Sequence, residues 1–122
     1  MNAARALLER EGITVVGVAS STAEALQRAE ELQPDVTLVD IRLGEQSGFD
    51  VVRRLHGRAS LAQSRTVLIS THSEEDYADL IAASPAIGFV PKAVLSARAI
   101  RDLLGLPGDG DGSGRVIETR GK

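Results

Sequence analysis

The chain has 122 residues, room for one domain and little more. Its formal net charge of −3, with both signs mixed along the sequence, argues against a strongly basic nucleic-acid surface. The absence of cysteine excludes disulfides and thiolate metal sites and fits a cytoplasmic protein. The N-terminus has no basic segment followed by an apolar run, and no apolar stretch is long enough to cross a bilayer, so neither export nor membrane insertion is expected. Hydrophobic residues make up 43% of the chain but aromatics only 2%, an aliphatic composition suited to buried parallel strands covered by helices.

In chain order, Asn2–Glu11 reads as a helix, with Ala3, Leu7 and Leu8 on one side and Gly12 able to end it in the left-handed conformation. Ile13–Ala19 is rich in β-branched residues and reads as a strand. Ser21-Thr22-Ala23-Glu24 is a capping-box pattern that opens a helix running to about Gln33, where Pro34 stops it. Asp35–Asp40 (DVTLVD) is a short apolar strand ending in an acid, and Ile41–Ser47 a loop. Gly48 to Leu55 or His56 is a helix, and Thr66–Ser70 (TVLIS) a strand. Ser73 can cap a further helix, with Glu74, Glu75 and Asp76 near its positive end, that finishes near Ser84-Pro85. Ala86–Val90 is a strand and Val94–Leu104 the last helix. Residues 105–122 are rich in glycine and charge and are expected to form a flexible tail.

Strict alternation of helix and strand implies a parallel sheet with helices on both faces. The order begins on a helix, whereas the first helix of an open α/β sheet normally follows a strand. In such sheets ligands bind outside the carboxyl ends of the strands. Asp40, Ser70 and Lys92 all fall at such ends. Taken singly, an acid there can cap a turn, a serine is ordinary turn chemistry and a lysine is a solvated charge. The three together, at successive strand ends, are far more specific.

The stretches LQPDVTLVDIRLGEQSGFDVVRRL, TVLISTHSEEDY and AIGFVPK resemble the receiver domain of bacterial two-component response regulators, in particular those with a helix-turn-helix output. Ser70 and Lys92 follow Asp40 by 30 and 52 positions, spacings similar to that family's. The resemblance covers residues 1–104. It implies a flavodoxin-like (CheY-like) doubly wound parallel sheet in three α/β/α layers, with the first strand absent from this chain. It further implies that Asp40 is a phosphoacceptor taking a phosphoryl group from a phosphohistidine on a sensor histidine kinase. Lys92 would neutralise a phosphoryl oxygen and Ser70 would donate a hydrogen bond to another. Phe89 would act with Ser70 as an aromatic switch, unless it is plain core packing. A second copy of the chain or an output partner is a further partner class that the resemblance allows.

The family's Mg²⁺ site needs a pair of acids at the end of the first strand. Only the Asp40 carboxylate and the Arg42 backbone carbonyl remain from that set here, so weak Mg²⁺ binding and slow phosphorylation are expected. The gap has three explanations: a misassigned start, which we prefer, a fragment, or replacement of the strand by rearrangement or by a second chain. The loop after Asp40 carries Gly44 where the family often has proline. Pro91 precedes Lys92, where the family often has proline after it, which leaves the presentation of Lys92 less defined.

Asp109-Gly110-Asp111-Gly112-Ser113-Gly114 resembles the start of a calcium loop, but its twelfth position is Arg120 rather than a glutamate, and an acidic linker is the better reading. A degenerate receiver binding partners independently of phosphorylation is the alternative function. An enzyme with an aspartate nucleophile, such as a hydrolase, is a third, disfavoured because those resembling the dehalogenase group carry a second acid two residues after the nucleophile, where Arg42 stands here. The 18 residues after Leu104 are too few and too polar for a helix-turn-helix, so direct DNA binding by this chain is not expected.

Overall fold

The computed structural model describes residues 9–10, 12–43, 46–61, 64–70, 74–104 and 115–119. Most of the helix expected over Asn2–Glu11 lies outside them; Glu9 and Arg10 are helical, and Gly12 follows at φ 95°, the left-handed region where glycine is at ease.

Five parallel strands form the main sheet: β1 (Thr14–Ala19), β2 (Val36–Asp40), β5 (Arg65–Ser70), β6 (Gly88–Pro91) and β7 (Arg115–Thr119), in the order β1-β7-β2-β5-β6. A two-residue antiparallel pair, β3 (Arg42–Leu43) and β4 (Gln46–Ser47), replaces part of the expected loop after Asp40. The helices are α1 (Thr22–Leu32), α2 (Gly48–His56), α3 (Ala78–Ala83) and α4 (Ala97–Leu104), with 3-10 turns at Ala59–Leu61, Glu74–Tyr77 and Lys92–Val94.

Local chemistry explains the boundaries. The Ser21 hydroxyl caps α1 by accepting from the Glu24 amide at 3.1 Å, and Glu24 reaches back to the Ser20 amide at 2.8 Å. Gln33 ends that helix at φ 48°, its amide on the Ala29 carbonyl, and Pro34 follows. Ser47 caps α2 through the Phe49 amide. Two helices differ from expectation. The helix expected from Ser73 begins as a 3-10 turn at Glu74 and becomes α-helical, as α3, only at Ala78, and Ser73 lies outside the described residues. The last is divided: Lys92–Val94 is a 3-10 turn, and Ser96, accepting from the Ala99 amide at 3.0 Å, restarts the chain as α4.

Strand alternation sorts the core onto two faces. On one, Val39, Leu68 and Ile117 pack under α1 and α2 through Ala25, Leu26, Ala29, Val52 and Leu55. On the other, Leu38, Val67, Ile69 and Val116 pack with Leu95, just before α4, and with Ile100 of α4. All five residues of β2 are buried, as a central parallel strand requires.

The expected flexible tail is corrected at Arg115–Thr119. This segment is a strand lying between β1 and β2, parallel to both. A glycine- and charge-rich average hid five residues of strand-forming chemistry, among them Val116 and Ile117 at 1% and 0% exposure. Tertiary demand supplies the other half of the reason. Without a strand there, β1 and β2 would leave backbone donors and acceptors unmatched across the gap. In this sheet β7 occupies the place between β1 and β2. At its lower end β7 is tied to β2 by reciprocal bonds: the Asp35 amide donates to the Arg115 carbonyl, and the Arg115 amide to Asp35 Oδ2, each at 2.9 Å.

Candidate functional site

β2 delivers Asp40 to the carboxyl edge of the sheet, next to the ends of β5 and β7. The residue is 7% exposed. A carboxylate so nearly withdrawn from water needs compensation, and it has two sources. Lys92 Nζ lies 2.6 Å from Oδ2, and the Arg42 amide donates to Oδ1 at 3.0 Å. Lys92 follows directly on β6, so its reach to Asp40 is fixed by the strand order despite a separation of 52 positions. The lysine side chain remains 40% exposed, which leaves its ammonium access to an incoming anion.

The backbone of Asp40 is held on both sides. Its amide donates to Thr119 Oγ1 of β7 at 2.8 Å, and the next amide, of Ile41, donates to the Ile69 carbonyl of β5 at 2.9 Å. The chain then turns back: the Gly48 amide donates to the Ile41 carbonyl at 2.7 Å. Gly48 sits so close that a Cβ added there would lie 2.1 Å from the Asp40 carbonyl oxygen. Glycine is needed here for close approach.

Ser70 ends β5, 2% exposed, one residue beyond the Ile69 that pairs with Asp40. Phe89 pairs with Leu68 and is half-buried against the same core cluster. By alternation Ser70 and Phe89 share that face of the sheet on adjacent strands. Of the sequence-derived set, Asp40 and Lys92 are in contact, and Ser70 and Phe89 stand on the neighbouring strands β5 and β6. Arg42 meets the Asp40 carboxylate through its amide, whereas its carbonyl was the group expected as a ligand.

Two residues near Asp40 escaped sequence reasoning. Gly48 was legible only as a helix start, and its closeness to Asp40 follows the pairing of β3 with β4. Thr119 was hidden in the tail.

The family's acid pair has no equivalent among the described residues. Beside Asp40, β7 presents the Thr119 hydroxyl, while Glu118 pairs two residues lower, with Leu38, and is buried. No group of three or more His, Cys, Asp or Glu side chains among the described residues is placed to hold a metal. With a hydroxyl where Mg²⁺ would want a carboxylate, and Lys92 already on Oδ2, these residues do not fit the family's Mg²⁺ site.

An Asp–Lys pair at the carboxyl edge of a doubly wound parallel sheet defines a class, and comparison with known proteins agrees with it. The model of the response regulator receiver domain matches residues 1–104, and the chain belongs to that family. It is 32% identical over 104 residues to a putative transcriptional regulator of Pseudomonas aeruginosa, covering 80% of this chain and 49% of that protein. It is 35% identical over 95 residues to the DNA-binding transcriptional activator DevR/DosR of Mycobacterium tuberculosis, covering 75% of this chain and 42% of that one. The chain thus spans half or less of the length of these relatives. Among solved structures it is similar to the signal receiver domain of a modulated diguanylate cyclase from Desulfovibrio desulfuricans, with a TM-score of 0.65 and 25% identity over 83% of this chain and 78% of that one. It also resembles a CheY-like receiver domain protein from Methanospirillum hungatei, with a TM-score of 0.63 and 22% identity over 84% and 76% of the two chains. The fold is flavodoxin-like, and the family is that of two-component signalling domains. No helix among the described residues is long and apolar enough to cross a membrane.

Proposed function

We propose that Asp40 is the phosphoacceptor of this receiver, taking a phosphoryl group from a phosphohistidine of a sensor histidine kinase in the cytoplasm. The observation that carries this is the Lys92–Asp40 contact of 2.6 Å at the carboxyl edge of the sheet. An Asp40 carboxylate oxygen attacks phosphorus, the P–N bond to the donor imidazole breaks, and an acyl phosphate forms on Asp40. Such transfers depend mainly on positioning and on neutralising charge on the phosphoryl oxygens. Lys92, on a flexible stem with one face to solvent, follows the charge from Oδ2 to a phosphoryl oxygen. Ser70 donates to a second oxygen, and Phe89, on the same face, repacks as Ser70 moves. The Arg42 carbonyl is the remaining main-chain candidate toward a cation. Through the Asp40 carboxylate and the Arg42 carbonyl alone, Mg²⁺ binding is weak. The chain performs at most its own phosphorylation and turns over no separate substrate. Its downstream effect passes through a second copy or an output partner.

Incubation with a small phosphodonor, with Mg²⁺ and with chelator, tests this. Asp40 acquires an acyl phosphate detectable as a mass increase, and Asp40→Asn does not. A wild-type chain that takes no label in either condition would overturn the proposal and favour a phosphorylation-independent binding module.

A further inference from the structure

We infer that Thr119 is a positioning residue for Asp40, so that the C-terminal strand sets the acceptor's geometry; this rests on the phosphoacceptor reading above. Three observations carry it. The backbone pairing between β2 and β7 runs from Val36↔Val116 to Leu38↔Glu118. Two residues further on, the link from Asp40 to β7 is made by a side chain: the Asp40 amide donates to Thr119 Oγ1 at 2.8 Å in a buried setting. Thr119 is itself 2% exposed, so water does not readily replace that hydroxyl. A buried amide deprived of its acceptor must find another or shift, and the Asp40 backbone carries the carboxylate with it. The Ile41 amide, donating to the Ile69 carbonyl of β5, and the close approach of Gly48 to the Asp40 carbonyl hold the next peptide unit, between Asp40 and Ile41. Losing the β7 side therefore tilts the acceptor rather than freeing the whole strand. Because the link is a hydroxyl and not a carbonyl, one substitution addresses it without breaking the ladder below.

The experiment compares wild type, Thr119→Val and Thr119→Ser in the full chain, using acetyl phosphate as the donor. Valine keeps the β-branched shape and removes the acceptor; serine keeps the hydroxyl. The expected result is a maximal labelling rate about fivefold or more lower for Thr119→Val, half-saturation by donor unchanged, and a rate near wild type for Thr119→Ser. Amide hydrogen exchange separates positioning from general loosening. In Thr119→Val the Asp40 amide loses protection while those of Val116 and Ile117 keep theirs. Equal labelling of wild type and Thr119→Val overturns this inference and leaves the acceptor reading intact. Loss of protection along all of β7 overturns a positioning role as well. A wild-type chain without label sinks the acceptor reading and this one with it. Should Thr119→Val fail to fold, exchange on the wild-type chain decides: an Asp40 amide protected like that of Leu38 supports the bond, and one exchanging as an open amide overturns it.

Discussion

Asp40 is surrounded by contacts that each act on a different part of the residue. Lys92 and the Arg42 amide take its two carboxylate oxygens, Thr119 its amide, and Gly48 crowds its carbonyl. The last of these makes a sharp prediction. In Gly48→Ala the new methyl would lie 2.1 Å from the Asp40 carbonyl oxygen and 2.8 Å from Ile41 Cα, both backbone atoms that cannot rotate aside as a side-chain tip can. Relief requires moving either the start of α2 or the end of β2. We expect a loss of about 1–3 kcal/mol, measured as a lower denaturant midpoint, with slower labelling of Asp40. An unchanged midpoint would mean that Gly48 does not approach Asp40 as closely as the bond from Gly48 to Ile41 implies.

At the scale of the element, α1 shows how a short polar motif fixes a helix start. Ser21→Ala removes the acceptor for the Glu24 amide and should cost about 1 kcal/mol. Glu24 adds a pH dependence. The Ser20 amide, followed by its hydroxyl, holds the Glu24 carboxyl below the ordinary glutamate range. A carboxyl whose folded value is lowered stabilises the fold above its unfolded value and loses that contribution as pH falls through the folded one. Denaturation midpoints followed downward from neutral pH should thus fall through the acid range in wild type. The curve for Glu24→Gln should be flatter over that window. Identical slopes would show that Glu24 gains nothing from Ser20 in solution.

At the scale of the whole molecule, β7 has the largest consequence. It joins the two halves of the sheet, since β1 meets β2 only through it. Ile117 is fully buried against α1 and α2, and Val116 against the opposite layer, so one strand contributes to both cores. Ile117→Ala should cost about 2–5 kcal/mol in urea denaturation, a large share of the ~5–15 kcal/mol typical of a domain. An exposed tail would tolerate the same change within about 0.5 kcal/mol, and that result would remove β7 from the sheet.

The sequence by itself determined the elements whose signals are local. Periodicity and capping residues placed α1 and α2, the continuous apolar run of DVTLVD placed β2, and parallel topology then placed Asp40, Ser70 and Lys92 at one edge. What it could not determine depended on a partner elsewhere. Arg115–Thr119 is too short to announce itself within a glycine-rich stretch. It becomes a strand because two others leave it a slot lined with unpaired backbone groups and apolar side chains. The nearness of Gly48 to Asp40 arises from the pairing of β3 with β4 and the bond from Gly48 to Ile41, which the chain makes only when folded. The same holds for Asp40. Its acid, strand-end character was readable from DVTLVD, but the group that receives its amide, Thr119, lies 79 positions away and was brought there by the sheet.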